Sequence, residues 1–180
     1  EAKNCPAIND ATEVCLATAN KKGQPSARMV LLKKFDDRGF CIFTNYGGRK
    51  GKELIENPHA SLCFYWNPLG KQIRIEGRVE KLSPAESDEY FDSRADDSKL
   101  GAWASKQSEE LQSRQEFLDA IEKYKQQFAG QKIPRPEFWG GFRVIPATIE
   151  FWQAEQFRYH RREVFEKQAD GSWANKLLYP

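Results

Sequence analysis

Two histidines and four cysteines are all that the sequence offers to a soft metal, and no two cysteines form a C-x-x-C pair. A zinc site is therefore not expected. No run of about 18 apolar residues occurs, so neither a transmembrane helix nor a membrane partner is expected. The first residues, Glu1-Ala2-Lys3-Asn4-Cys5, hold no signal-peptide core, and the expected location is cytoplasmic. No G-x-G-x-x-G follows a strand, which disfavours a doubly wound dinucleotide fold. Neither a Walker A loop nor a G-x-S-x-G elbow is present. Neither sign of charge dominates: 28 basic against 26 acidic residues leave +2, which does not point to nucleic acid.

What is present suits a folded chain with a real core. Aromatic residues reach 13%, which argues against disorder. There is no internal repeat and no linker, so 1–180 is expected to form a single domain. Glu13–Ala19, Ser26–Phe35, Gly39–Asn45, Ala60–Trp66 and Lys71–Leu82 read as strands. The last alternates clearly, with Gln72, Arg74, Glu76 and Arg78 against Ile73, Ile75, Gly77 and Val79. After Pro136 the strand pattern returns at Gly141–Ile145, Thr148–Gln153, Glu163–Lys167 and Ser172–Leu178.

Helices interrupt this series. Arg49–Glu56 is a short one. Ser83-Pro84-Ala85-Glu86 carries a capping box and opens a second, running to about Ser93. Glu109–Phe128 has the apolar spacing of a longer one. Consecutive, hairpin-linked strands with a few helices predict a mainly β, α+β architecture, with an antiparallel sheet closed into a barrel. Cys15, Cys41 and Cys63 fall within strands and read as buried free thiols of a reducing compartment. His59 reads as structural.

Three clusters carry charge in places that ask for a reason. Arg28 and Lys33 lie in the apolar run Ser26–Lys33, where a buried cation needs a partner such as phosphate. Two surface cations on a half-exposed strand fit the same pattern. In Thr44-Asn45-Tyr46-Gly47-Gly48-Arg49-Lys50-Gly51-Lys52 a strand ends and a helix starts with cations, against its dipole; bound phosphate would justify them, and so would a solvated turn. The segment Phe151–Arg162 brings aromatic rings, His160 and three arginines within twelve residues. It could hold a flat phosphorylated heterocycle or stack RNA bases. With no nucleophile triad visible, the chemistry is expected to come from a cofactor.

Several segments occur in an order that is specific when taken together. They are Ser26–Lys33, Asn45 with Arg49-Lys50-Gly51, Phe64-Tyr65-Trp66, Gln72–Gly77, Tyr90–Arg94, Gln107-Ser108, Trp139-Gly140-Gly141 and Glu150–Gln153. Over nearly the whole chain they resemble the pyridoxine (pyridoxamine) 5'-phosphate oxidase family. The resemblance implies a split β-barrel that binds flavin mononucleotide (FMN) and works as a homodimer with shared flavin sites, residues 134–180 completing barrel and substrate site. It places Arg28, Met29, Val30, Leu31, Phe43, Thr44, Arg49, Lys50, Gln72, Gln107, Ser108, Trp152 and Arg162 at the flavin, with Arg49 and Lys50 on its phosphate. Lys33, Tyr90, Arg94 and Ser98 correspond to contacts with the substrate phosphate, and Arg158 and His160 to residues over the substrate ring.

The implied reaction oxidises pyridoxine or pyridoxamine 5'-phosphate to pyridoxal 5'-phosphate and reduces dioxygen to hydrogen peroxide. The chain departs from the family at Tyr159 and Arg161, where Leu and Asp are usual, at Ala95 in place of Pro, and at Leu177 in place of Arg. These changes bear on efficiency and substrate preference more than on flavin binding. A flavin or pyridoxal-phosphate binder of the same fold with weak or no turnover is the alternative function, and a basic RNA-binding barrel is a third.

Overall fold

The computed structural model describes residues 1–180. Nine strands form one antiparallel sheet: β1 (Glu13–Ala19), β2 (Pro25–Leu31), β3 (Lys34–Asp36), β4 (Gly39–Asn45), β5 (His59–Trp66), β6 (Lys71–Lys81), β7 (Trp139–Gln153), β8 (Arg161–Lys167) and β9 (Trp173–Leu178). The ladder runs β2-β1-β5-β6-β7-β4-β3, with β8 and β9 added beside the far half of β7. It curls without closing, because β2 and β3 are its two ends. The sheet is thus the split barrel that the resemblance implies, not the closed one that strand order alone suggests. The strand expected at Ser26–Phe35 breaks for the same reason: the Leu32 amide donates to Thr12 O and the Lys33 amide to Cys41 O, so the chain changes partners at this corner.

Alternation decides which side chains face the core. Val14 and Leu16 on β1, Leu62 and Phe64 on β5, Ile75 on β6, and Phe142 and Val144 on β7 meet inside the curl with Leu54 of α1 (Arg49–Glu56). A second, smaller core joins Phe91 of α2 (Pro84–Asp92), Leu100 and Ala102 of α3 (Asp96–Ala104), Ile133 and Trp139, with Ile121 and Tyr124 of α4 (Arg114–Gln127) packed against it. The capping box is present: the Ser83 hydroxyl accepts from the Glu86 amide, and Glu86 accepts from the Ser83 amide.

Three further expectations are corrected. The segments 141–145 and 148–153 are one strand, β7, which carries Pro146 through a bulge opposite Glu76 and Gly77. A Cβ on Gly77 would lie 1.9 Å from Ile145 O, so only glycine admits this close approach. The long helix begins at Arg114, where the Ser113 side chain accepts from the Glu116 amide; Glu109 and Glu110 precede it outside any helix. The helix opened by Ser83 ends at Asp92, close to the expected Ser93, and a separate α3 follows. Tyr90, Arg94 and Ser98 therefore share no continuous helical face. Of the three strand thiols, only Cys41 is fully buried; Cys15 and Cys63 are half-buried and directly opposite each other on β1 and β5.

Candidate active site

The end of β4 and the start of α1 build the first cluster. Lys50 Nζ donates to Gln107 Oε1 at 2.8 Å and to Thr44 Oγ1 at 3.2 Å, and Thr44 donates to Gln107 at 3.0 Å. The Arg49 amide donates to Ser108 Oγ at 3.1 Å. Ser108 sits in the left-handed region, with φ 71°. Gly48 caps α1 without a side chain, and a Cβ there would lie 2.6 Å from Gln107 Oε1. No acidic residue lies in the first turn of α1, so its positive end is not offset locally. Lys50 has no carboxylate partner; burial, and then the neighbouring Arg28, push its pKa below the usual lysine value. The Thr44, Arg49, Lys50, Gln107 and Ser108 of the sequence reading thus converge.

Arg28 lies beside this cluster, but the partner of its charge is a protein carboxylate. It donates to Leu16 O, Thr18 Oγ1, Ser26 Oγ and Glu53 Oε2. Arg28 and Val30 face inward, whereas Met29 and Leu31 face outward and are exposed. One face of β2 cannot present all four to one ligand.

The second cluster is an aromatic stack beneath a cation. Phe43 and Tyr90 stack with centroids 3.9 Å apart, and both rings lie nearly parallel to Trp139. Arg94, in the break between α2 and α3, lies over Trp139 at 4.8 Å. Its Nη1 is buried without any hydrogen-bond partner, and it forms no ion pair. Burial lowers its pKa, and burial raises that of Tyr90. Lys33 and Tyr90 line one recess of about 330 Å³. Ser98 lies exposed on the first turn of α3.

The third cluster occupies the far end of β7. Gln72, Trp152 and Arg162 are register partners across β6, β7 and β8. They border a cleft of about 910 Å³ that Lys33 and Leu177 also line. The His160 ring lies 4.6 Å from that of Trp152, and its Nδ1 accepts from the Glu155 amide at 3.2 Å. That acceptor role leaves the proton of the neutral ring on Nε2. Arg158 is exposed at φ 65°, just after Phe157 at φ 54°. Arg162 grips Glu150 through Nε and Nη2, at 2.9 and 3.1 Å.

The third cluster does not meet the first within one chain along the strand that joins them. Thr44 pairs with Gly140, and Trp152 lies twelve residues further along β7. At about 3.3 Å per residue, roughly 40 Å of strand separates the two.

Two buried carboxylates escaped the sequence reading. Glu53 accepts from Thr18, Ser26, Arg28 and Arg49, and Glu150 is held between Arg74 and Arg162. The spacing of Arg49 and Glu53, four apart on a helix, was a usable signal for the first. The second depends on strand register, which no local pattern reveals.

Residues 3–128 match the family described as Pyridoxamine 5'-phosphate oxidase, and residues 139–180 match the Pyridoxine 5'-phosphate oxidase C-terminal dimerisation region. The chain is 50% identical over 171 residues to a pyridoxine/pyridoxamine 5'-phosphate oxidase of Myxococcus xanthus DK1622, covering 95% of this chain and 82% of that one. It is 53% identical over 165 residues to the enzyme of the same name from Microcystis aeruginosa, covering 92% and 77%. Among solved structures it is similar to PhzG of Burkholderia lata 383, crystallised with tetrahydrophenazine-1-carboxylic acid, with a TM-score of 0.89 and 34% identity over 94% of this chain and 83% of that one. A pyridoxamine 5'-phosphate oxidase-related, FMN binding protein of Nostoc punctiforme shares the fold at a TM-score of 0.76 and 16% identity, over 94% and 89%. With both parts matched in order and half of its residues shared over nearly its whole length, the chain belongs to the pyridoxamine 5'-phosphate oxidase family.

Proposed function

We propose that this protein is an FMN-dependent oxidase that converts pyridoxine 5'-phosphate or pyridoxamine 5'-phosphate to pyridoxal 5'-phosphate, with dioxygen reduced to hydrogen peroxide. The observation that carries this reading is a pair of half-buried cations that form no ion pair, Lys50 and Arg94, the second with its Nη1 enclosed and without a hydrogen-bond partner. A cation taken out of water needs an anion, and a phosphorylated cofactor and a phosphorylated substrate supply one each. Lys50 and Arg49, at the start of α1 where no acidic residue offsets the helix dipole, suit the phosphate of FMN. Arg94, with Lys33 and Tyr90 close to the Phe43–Trp139 stack, suits the phosphate of the substrate.

Oxidation at the substrate's C4' carbon, with the electrons going on to dioxygen, is the chemistry that FMN would supply when bound. The protein's share is placement. Arg158 and His160 would hold the substrate ring, with His160 donating from Nε2 because the Glu155 amide occupies Nδ1. Gln72, Trp152 and Arg162 would reach the flavin from a second copy of the chain, which resolves the distance along β7. Met29 and Tyr65, both largely exposed, share the outer sheet face with Gln72 and Trp152 and give that copy an apolar surface to cover.

The direct test is to incubate the purified, yellow protein with pyridoxine 5'-phosphate in air and measure pyridoxal 5'-phosphate and peroxide. Equal yields are expected. Turnover of tetrahydrophenazine-1-carboxylic acid with none of the vitamin phosphate would redirect the assignment towards a PhzG-like substrate. Flavin bound without turnover of either would leave a binding protein. In sedimentation at micromolar concentration the mass is expected to be twice the 20.8 kDa of the chain. A monomer that binds FMN tightly would contradict the shared site.

A further inference from the structure

Glu53 is 5% exposed, yet it ties three elements together. Its Oε2 accepts from the hydroxyls of Thr18 on β1 and Ser26 on β2 and from Arg28 Nη2, at 2.5, 2.6 and 3.3 Å. Its Oε1 accepts from Arg49 Nε at 2.9 Å, one turn earlier on α1. Burial alone would raise its pKa, but the donors Ser26, Thr18, Arg49 and Arg28 outweigh it and hold the value at about 2. The carboxylate is therefore ionised throughout the neutral range.

The two arginines are used differently. Arg28 spends both Nη groups on the protein, through Leu16 O, Thr18, Ser26 and Glu53. Arg49 is anchored only through Nε, and both of its Nη groups have no protein partner. The side chain of Arg49 is 55% exposed. Without the anchor it would sample many rotamers. Counting charges, Arg28, Arg49 and Lys50 face one carboxylate, so the start of α1 keeps a surplus of two positive charges. That surplus matches a phosphate monoester, which carries about two negative charges at pH 7.

We propose that Glu53 is a positioning residue of the cofactor site, which fixes Arg49 by its Nε so that its two Nη groups are presented to the flavin phosphate. The proposal rests on the reading that Arg49 and Lys50 bind that phosphate. Its sign separates it from a plain counter-charge. Removing a negative charge beside a phosphate site tightens phosphate binding if charge alone matters, and weakens it if the carboxylate sets the geometry.

The experiment measures dissociation constants of FMN and riboflavin for apoprotein carrying Glu53→Gln, with the melting temperature of the apoprotein as a control. FMN is expected to bind about tenfold more weakly, the equivalent of one charge-assisted hydrogen bond, while riboflavin changes little. Tighter or unchanged FMN binding would overturn the proposal. Equal weakening of both ligands would also overturn it and leave Glu53 a structural role only. A wild-type protein with no preference for FMN over riboflavin would overturn the phosphate-site reading itself, and the proposal with it. If Glu53→Gln does not fold, Thr18→Val decides. It removes one donor to the same carboxylate and is expected to lower the FMN preference in the same direction, by about threefold; an unchanged preference would overturn the proposal.

Discussion

Replacing Arg94 with alanine is expected to raise KM for pyridoxine 5'-phosphate by roughly 10- to 100-fold while FMN stays bound. The range corresponds to losing charge-assisted hydrogen bonds of about 1.5–3 kcal/mol. The cause is local. The Arg94 guanidinium lies over Trp139, and its buried Nη1 has no partner within the chain. A phosphate oxygen there would satisfy a donor that is otherwise stranded, so the loss on truncation falls on substrate binding. Arg158→Ala should differ in kind. Arg158 is exposed and touches neither phosphate cluster, so its loss should depress kcat as well, by loosening the substrate ring over the flavin. Steady-state kinetics with flavin absorbance as the occupancy check tests both. A wild-type KM in Arg94→Ala, or equal use of pyridoxine and its phosphate, would remove the substrate site from this place.

The double variant Arg49→Ala/Lys50→Ala is expected to weaken FMN by roughly 10²- to 10⁴-fold, since two charge-assisted contacts of about 1.5–3 kcal/mol each are lost. Riboflavin, which lacks the phosphate, should be affected far less. Lys50 adds a pH dependence with a definite sign. Burial holds its pKa below the usual lysine value, so the charged form that attracts phosphate is lost earlier than usual as pH rises. FMN affinity should decline on the alkaline side, and Lys50→Arg should push that decline to higher pH. Fluorescence titration of the flavin between pH 7 and about pH 10 would show it. A flat profile, or equal losses of FMN and riboflavin in the double variant, would remove these residues from the phosphate.

Features set by a few neighbouring residues were legible in the sequence. The strand Glu13–Ala19, the helix Arg49–Glu56 and the Ser83 capping box follow from a short run of small and apolar residues, a glycine-rich turn and a four-residue cap. The convergence of Thr44, Lys50 and Gln107 was reachable only through the family resemblance, because Gln107 lies far along the chain. Features set by pairing were not legible. Pro146 reads as a strand end until Gly77 is seen across from it, making room for a bulge. The partner of the Arg28 charge, Glu53, is not legible in the apolar run because it sits on another element. Tyr90, Arg94 and Ser98 lie four apart, a helical spacing, but the chain breaks between α2 and α3 and places Arg94 over Trp139.

The long strand β7 also dictates an order of assembly during synthesis. Residues 40–45 of β4 pair with 139–144 of β7, and residues 71–81 of β6 pair with the same strand. On the ribosome both strands emerge well before their partner exists. Until residue 139 and its successors appear, each offers an open edge and part of an apolar face to other nascent chains. A chain released early would keep those edges. Because the pairing that removes them joins distant parts of the sequence, refolding of the full chain should be slow as well, and expression should be more sensitive to truncation on the N-terminal side of β7 than to loss of β9, which pairs with β8 alone.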